Sequence, residues 1–413
     1  MNNSWSRSLI PALFCTVAAL LCNSAASQTA SPLPSIAPDS TSVTTEYWVF
    51  DCGGRYLRVS EARNEIVDRG RVAGIESSAF GRRTDGCLLG EVRPLSGSNA
   101  LIAVTAVEPT LDASGRRHHR VVSLDRTTLK MLAVYTVPGP QTERPRLLLN
   151  PSSRSAAVLF DAGGASSDRV AIQELVGRTL QLRPSTISKS TAREIASSRK
   201  SHILADGRIQ TDSISHDGRP GATFASALRT VVDHWQTQFP QAGQIKYALA
   251  DSISGKSIYI AGWDTWSAPS PNGGVILYDV MSGAVISSFR TAYKLAPFDG
   301  TIGTPNIHLT PNGDIVVIEE YAWRQDSEST KAYRFKTGSI VAYDAQSGME
   351  LGKAELSPEP SASARVIGFS EDGRKLFYAS FDRFYIIDLA AMRVLASVAL
   401  PEAFTAFAAA STR

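Results

Sequence analysis

The sequence is most informative first in what it has little of. Cysteine and histidine are scarce, with 4 and 6 in 413 residues. Neither sign of charge dominates, since 42 Lys and Arg stand against 39 Asp and Glu. That balance disfavours a strongly basic nucleic-acid binder. Past the N-terminus no apolar run approaches the roughly 20 residues that a membrane span needs. No HExxH pair, P-loop or dinucleotide fingerprint appears, nor a GxSxG elbow in a strand-turn-helix context. His202, His216, His234 and His308 lie too far apart in sequence for a metal motif. What is present is ordinary globular composition, 43% hydrophobic with 30 Gly and 21 Pro. A wholly disordered chain is excluded. The length suits two or three average domains or one repeat fold.

Residues 1–27 read as a secretory signal peptide. Arg7 precedes an apolar stretch from Leu9 to Cys22, and small residues follow at Ser24, Ala25, Ala26 and Ser27. Cleavage is expected near Ala26 or Ser27. Leu21 before Cys22 is bulkier than the residue a lipoprotein signal places there, which argues against a lipid anchor. Residues 28–46 are rich in Pro, Ser and Thr and read as a linker. The mature chain then keeps two cysteines, Cys52 and Cys87. A pair in an exported protein most often forms a disulfide. Two free buried thiols or a redox pair are the alternatives, although the spacing is unlike CxxC.

From residue 47 to 402 the chain repeats itself weakly. Ile307–Val317 and Val366–Leu376 each read as a short apolar strand, a polar turn ending in Gly, and a second apolar strand. The Gly supplies the positive φ of a tight hairpin. Comparable turns fall at Gly97, Ser153 and Gly255, with weaker ones at Gly54 and Gly207. A second motif, an apolar run ending in Asp before another turn, occurs at Val275–Gly283 and Ile340–Gly348. Val121–Asp125 and Phe384–Asp388 are copies without the Gly. In this motif the Asp accepts turn N–H groups and the Gly takes the left-handed position. Four strands per unit and a drifting period of about 50 residues predict an all-β fold, a β-propeller. Seven turns predict seven four-stranded antiparallel blades, with six or eight open. Phe224, Leu228, Val231 and Trp235 fall at helical spacing. A strand-plus-loop insertion fits that segment equally. Residues 403–413 read as a C-terminal tail.

The pattern around Tyr259–Gly262 and Tyr278–Gly283 resembles bacterial YVTN-type propellers, which are similar to quinoprotein amine dehydrogenase-like propellers. The resemblance covers about 47–400 and is strongest from 245 to 400. It implies a fold far more than a function, because lactonases, dehydrogenase subunits and surface binding proteins share it. The tryptophan-docking motifs of quinone-cofactor propellers are absent.

The connections that lengthen are those between second and third strands: 109–119, 263–274 and 321–338. They carry His118, His119, Trp263, Trp266, Tyr321, Trp323, Arg324 and Tyr333. Aromatic and Arg side chains bury much area with few rotors and suit a binding surface. The competing reading has these loops packing on each other to cover the ring. Adjacent His118 and His119 chelate poorly unless they sit in a loop, since neighbours on a strand point opposite ways. With Arg116, Arg117 and Arg120 they read as a solvated basic patch. Glu108, Asp161, Asp264, Glu319 with Glu320, and Asp382 close the second strands. They are either local turn caps or an acidic ring at the channel mouth binding a cation such as Ca²⁺. No other cofactor or resident metal is expected.

The sequence therefore leads to an exported, monomeric and noncatalytic propeller, periplasmic or extracellular, with a protein, peptide or glycan ligand. Nucleic acid and membrane spanning are not expected. The rival is a lactonase-like or amine-dehydrogenase-like enzyme using acids and His at the channel mouth.

Overall fold

The computed structural model describes residues 45–73, 75, 89–95, 98–105, 117–139, 146–150, 155–159, 172–176, 181–184, 201–203, 209–211, 230, 233–234, 237–238, 244–246, 256–262, 274–279, 282–290, 306–325, 332–356 and 364–412. The expected signal peptide and nearly all of the linker lie outside them, although Glu46 already opens the first strand. No helix among the described residues is long and apolar enough to cross a membrane.

The protein is all-β and its sheets are antiparallel. Strands β1 (Glu46–Asp51), β2 (Arg55–Ser60) and β3 (Glu65–Arg71) belong to the first sheet. The second holds β4 (Leu89–Leu95), β5 (Ala100–Thr105), β6 (Arg117–Asp125) and β7 (Met131–Gly139). The third holds β8 (Arg146–Asn150), β9 (Ser155–Leu159), β10 (Ile172–Val176) and β11 (Gln181–Pro184). A two-stranded pair follows, β12 (Ser201–Ile203) and β13 (Ile209–Thr211). The next sheet is β14 (Gln244–Lys246), β15 (Lys256–Gly262), β16 (Gly274–Asp279) and β17 (Ala284–Arg290). Then come β18 (Asn306–Leu309), β19 (Ile315–Gln325), β20 (Ala332–Asp344) and β21 (Glu350–Glu355). The last full set is β22 (Arg365–Phe369), β23 (Lys375–Ala379), β24 (Arg383–Asp388) and β25 (Arg393–Ala399). Finally β26 (Ala406–Ser411) pairs antiparallel with β1, from Tyr47↔Ser411 to Asp51↔Ala406. Among the described residues this makes six four-stranded sheets and one two-stranded pair.

Two expectations shift here. Residues 403–413 are not all tail, because Ala406–Ser411 supplies the first strand of the first sheet. Consequently Gly54, at φ 80, sits between second and third strands rather than between first and second. The Gly54 turn is thus out of phase with the turns at Gly313 and Gly373. Phe224, Leu228, Val231 and Trp235 lie outside the described residues; of their neighbours, Thr230, Asp233, His234, Thr237 and Gln238 are helical. Thr237 Oγ1 donates to the Asp233 carbonyl at 2.8 Å, one turn back.

The strand sequences explain how the sheets stack. Middle strands are apolar on both faces: Val316, Val317 and Ile318 are all buried, as are Leu376, Phe377 and Tyr378. Each face packs on a different neighbour. Trp48 and Phe50 of β1 face Leu89, Leu101 and Val122 of the second sheet. Tyr47 and Val49 face Phe377, Phe384 and Ile386 of the last. Val317 and Ile340 meet Leu376 and Tyr378, while Val316 and Ile318 meet Val275 and Leu277. Four thin strands are stable because both faces are covered this way.

The Asp turn repeats with one geometry. In Asp344–Gly348 the Ser347 N–H donates to Asp344 Oδ1 at 2.7 Å, and the Gly348 N–H to the Asp344 carbonyl at 2.8 Å. In Asp125–Leu129 the Thr128 N–H donates to Asp125 Oδ1 at 2.8 Å. Gly283 and Gly348 take the left-handed conformation at φ 71 and 69, and Leu129 and Met392 adopt it without being glycine, at φ 54 and 46. The degenerate copies therefore keep the turn and accept the backbone strain.

Candidate functional site

One end of the stacked sheets gathers the second-to-third connections. The Leu89 N–H at the start of β4 donates to the Cys52 carbonyl, in the β1–β2 turn, at 2.8 Å. Arg365 Nη2, at the start of β22, donates to the Ala406 carbonyl, at the start of β26, at 3.3 Å. The Val366 N–H donates to Glu319 Oε1 at 3.0 Å, close to where β19 leaves its sheet. These contacts place the same end of four sheets together.

Two hairpins run past their sheets at that end. β18 last pairs with β19 at Asn306↔Glu319, and β21 last pairs with β20 at Ser339↔Glu355. Beyond a bulge between Glu319 and Tyr321, β19 and β20 continue alone from Tyr321↔Lys336 to Gln325↔Ala332. Five further pairs extend the ribbon by about 17 Å. The segment expected as a loop at 321–338 is thus mostly strand, with Tyr321, Trp323 and Arg324 on one side of the hairpin and Tyr333 on the other. Arg324 pairs with Tyr333 across it. Similarly, Arg117–Arg120 pair with Thr136–Gly139 beyond the last β5 partner, Val121. His118 and His119 are therefore strand residues, and the loop condition for chelation is not met. Trp263 and Trp266 lie outside the described residues.

Of the carboxylates expected as a ring, Glu319 and Asp382 are described with their side chains. Glu108, Asp161 and Asp264 lie outside the described residues. Asp382 is exposed in the β23–β24 turn, where Ser380 Oγ donates to its Oδ1 at 2.9 Å. That is the capping role weighed from sequence. Glu319 is different, being only 1% exposed. Its Oε1 takes the Val366 N–H and a 2.8 Å hydrogen bond with His308 Nε2, from β18. A buried carboxylate needs such donors. Arg365 stands next to Val366, and burial lowers its pKa from the ordinary value while the Glu319 charge opposes that shift. Among the described residues no group of three or more His, Cys, Asp or Glu could hold a metal ion. Sequence reasoning missed Arg365 and Phe381. Phe381 is 74% exposed in the β23–β24 turn at this same end. Its signal was a large apolar residue in a short polar turn.

Cys52 is disulfide-bonded. Cys87, its expected partner, lies outside the described residues.

No family model and no curated protein matches the chain. Solved structures do. Dihydro-heme d1 dehydrogenase NirN in complex with DHE is 12% identical over 88% of this chain and 74% of its own, with a TM-score of 0.40. Apo AztD from Citrobacter koseri is 9% identical over 89% and 98%, also at 0.40. The β-propeller domain of the Trilobed protease from Pyrococcus furiosus is 12% identical over 74% and 69%, at 0.30. These values are too low for a shared fold to follow from them. What the chain itself establishes is an all-β protein of antiparallel, face-stacked four-stranded sheets whose first sheet is completed by the C-terminal strand.

Proposed function

We propose that this chain is an exported seven-bladed β-propeller that binds a protein or peptide, or else a glycan, through the end bearing the two ribbons. The seven-blade reading is supported by six full sheets, the β12–β13 pair between the third and fourth of them, and the shared cores that join the last sheet to the first, the first to the second, the fourth to the fifth and the fifth to the last. Pairing of β26 with β1 closes a ring economically, since one sheet then joins both ends of the chain. Export is supported by the leader-like residues 1–27.

The observation that carries the binding reading is the β19–β20 ribbon. Beyond Glu319 and Ser339 neither of its strands has another strand partner among the described residues. Two-stranded ribbons are marginal alone, and their open edges are templates for a further strand. The aromatic-rich sequence of this ribbon suits a contact surface. The test replaces Tyr321–Lys336 by an Asn-Gly turn and compares pull-downs of both mature proteins from their own envelope fraction. Loss of a captured partner at unchanged melting temperature supports the reading. An identical set of captured proteins overturns it.

The His308–Glu319 pair favours a second reading, an enzyme. A buried carboxylate that orients an imidazole is how a general base is held. Turnover of lactones or of quinone-linked electron acceptors by the mature protein, abolished by Glu319→Gln, would replace the binding reading with this one.

A further inference from the structure

The β19–β20 ribbon carries charge that its own strand pairing does not neutralise. Across it Tyr321 pairs with Lys336, Trp323 with Arg334 and Tyr333 with Arg324. Each cation thus stands opposite an aromatic residue, and the five ribbon pairs hold no Asp or Glu. Successive residues of a strand alternate between its two faces. The register therefore sets Arg334 and Lys336 on one face of β20, and Tyr333 and Phe335 on the other. On the side away from β19, β20 last pairs with β21 at Ser339↔Glu355. Pro358 and Pro360 follow β21 in the sequence, and proline has no N–H to continue a ladder. Among the described residues the edge of β20 over Ala332–Lys336 accordingly has no strand beside it. The other ribbon differs, because Pro138 sits in β7 and blunts that edge.

We propose that this edge of β20 receives an extended segment of a partner protein in which acidic and apolar residues alternate. The proposal rests on the binding reading above and names the chemistry of the partner. Strand addition to an open edge draws affinity from main-chain hydrogen bonds and specificity from alternate side chains. Every second residue of an added strand stands opposite Arg334 and Lys336, where Asp or Glu makes an opposite-charge cross-strand pair. The residues between them stand opposite Tyr333 and Phe335, where an apolar side chain makes the favourable pair. A second copy of β20 is disfavoured, since pairing its basic face to this one sets like charges opposite each other. An anionic lipid surface matches the cations alone and offers the edge no backbone partners.

The test titrates a short fluorescein-labelled Glu-Val repeat peptide with the mature protein at about 0.15 M salt and reads anisotropy. Saturable binding is expected for this peptide. None is expected for a Lys-Val repeat, or for a Glu-Val repeat interrupted by proline, which cannot complete the ladder. Arg334→Glu combined with Lys336→Glu should weaken the Glu-Val peptide by about tenfold and confer binding of the Lys-Val peptide. The melting temperature should not change, because both residues lie beyond the four-stranded part of the sheet. If the charge-reversed protein does not fold, Arg334→Gln combined with Lys336→Gln should weaken the Glu-Val peptide without gaining the Lys-Val one. A ribbon replacement that loses its captured partner, beside a wild-type protein that ignores the Glu-Val peptide, leaves the binding reading standing and overturns this one. Equal binding of the proline-interrupted peptide, tighter binding to phosphatidylglycerol vesicles, or unchanged Glu-Val binding in either folded variant also overturns it. Self-association of the mature protein that the same variants abolish would assign the edge to a second copy instead.

Discussion

The Leu89 N–H bonds the carbonyl of Cys52 at 2.8 Å, and so brings the start of the second sheet onto a turn of the first. Leu89 is two residues after Cys87 in sequence, and Cys52 is disulfide-bonded. Peptide mapping of non-reduced mature protein should therefore recover a Cys52–Cys87 peptide. The bridge closes a loop of about 36 residues, and Cys87→Ala should cost roughly 4 kcal/mol in the chain-entropy model. Denaturant melts with and without reductant check the size, and recovery of both cysteines as free thiols would refute the pairing.

The C-terminal strand should be indispensable. Ala408 and Ala410 of β26 lie in the same core as Trp48 and Phe50. At the opposite end from the ribbons, Arg126, 4% exposed, donates through Nε to the Ser411 carbonyl at 2.7 Å and pairs with Glu371 at 2.7 Å. It thereby ties three sheets together. Ala408→Asp would bury an unpaired carboxylate and should destabilise by about 3 kcal/mol or more. Removal of residues 406–413 should leave no cooperative thermal transition in circular dichroism.

Two glycines in equivalent turns should respond differently to alanine. Both Gly283 and Gly348 have left-handed φ, so each pays the backbone strain, about 1 kcal/mol. Among the described residues a Cβ on Gly283 would meet the Tyr278 hydroxyl alone, at 3.6 Å, whereas one on Gly348 would collide with the Phe289 side chain. Gly348→Ala should accordingly cost about 2 kcal/mol more than Gly283→Ala, as overpacking is added to strain. Urea melts of the two variants measure the difference.

Acid should weaken the Asp turns. The Ser347 hydroxyl, and then its N–H, hold the Asp344 carboxyl below its ordinary value, and Thr128 does the same for Asp125. A carboxyl depressed in the folded state contributes stability that is complete above the unfolded pKa near 3.8. It is lost as pH falls through the lower folded value. Stability should thus decline below about pH 4. Asp344→Asn should flatten part of that decline, measured as melting temperature against pH.

Much of the local structure was legible in the residues. Asp279, Asp344 and their following glycines announced a turn, because a short acceptor and a residue free to adopt positive φ are local requirements. Asp125 and Asp388 announced it even where Leu129 and Met392 replace glycine. The apolar runs Val316–Ile318 and Leu376–Ala379 likewise marked strands covered on both faces. The hairpin at Tyr321–Lys336 was hidden, since its polar and charged residues carry no core-facing alternation and read as a loop.

Strand identity and turn chemistry are thus decided within a few residues of sequence, where neighbours along the chain supply the hydrogen bonds. Tertiary structure alone decided that Ala406–Ser411 completes the first sheet, because an alanine-rich strand can pair with any edge and its partner lies at the other end of the chain. It alone decided that Glu319 is a buried acceptor while Asp382 is an exposed cap. Both close a second strand, but of the two it is Glu319 that meets the Val366 N–H and the His308 imidazole, which two adjacent first strands bring to it.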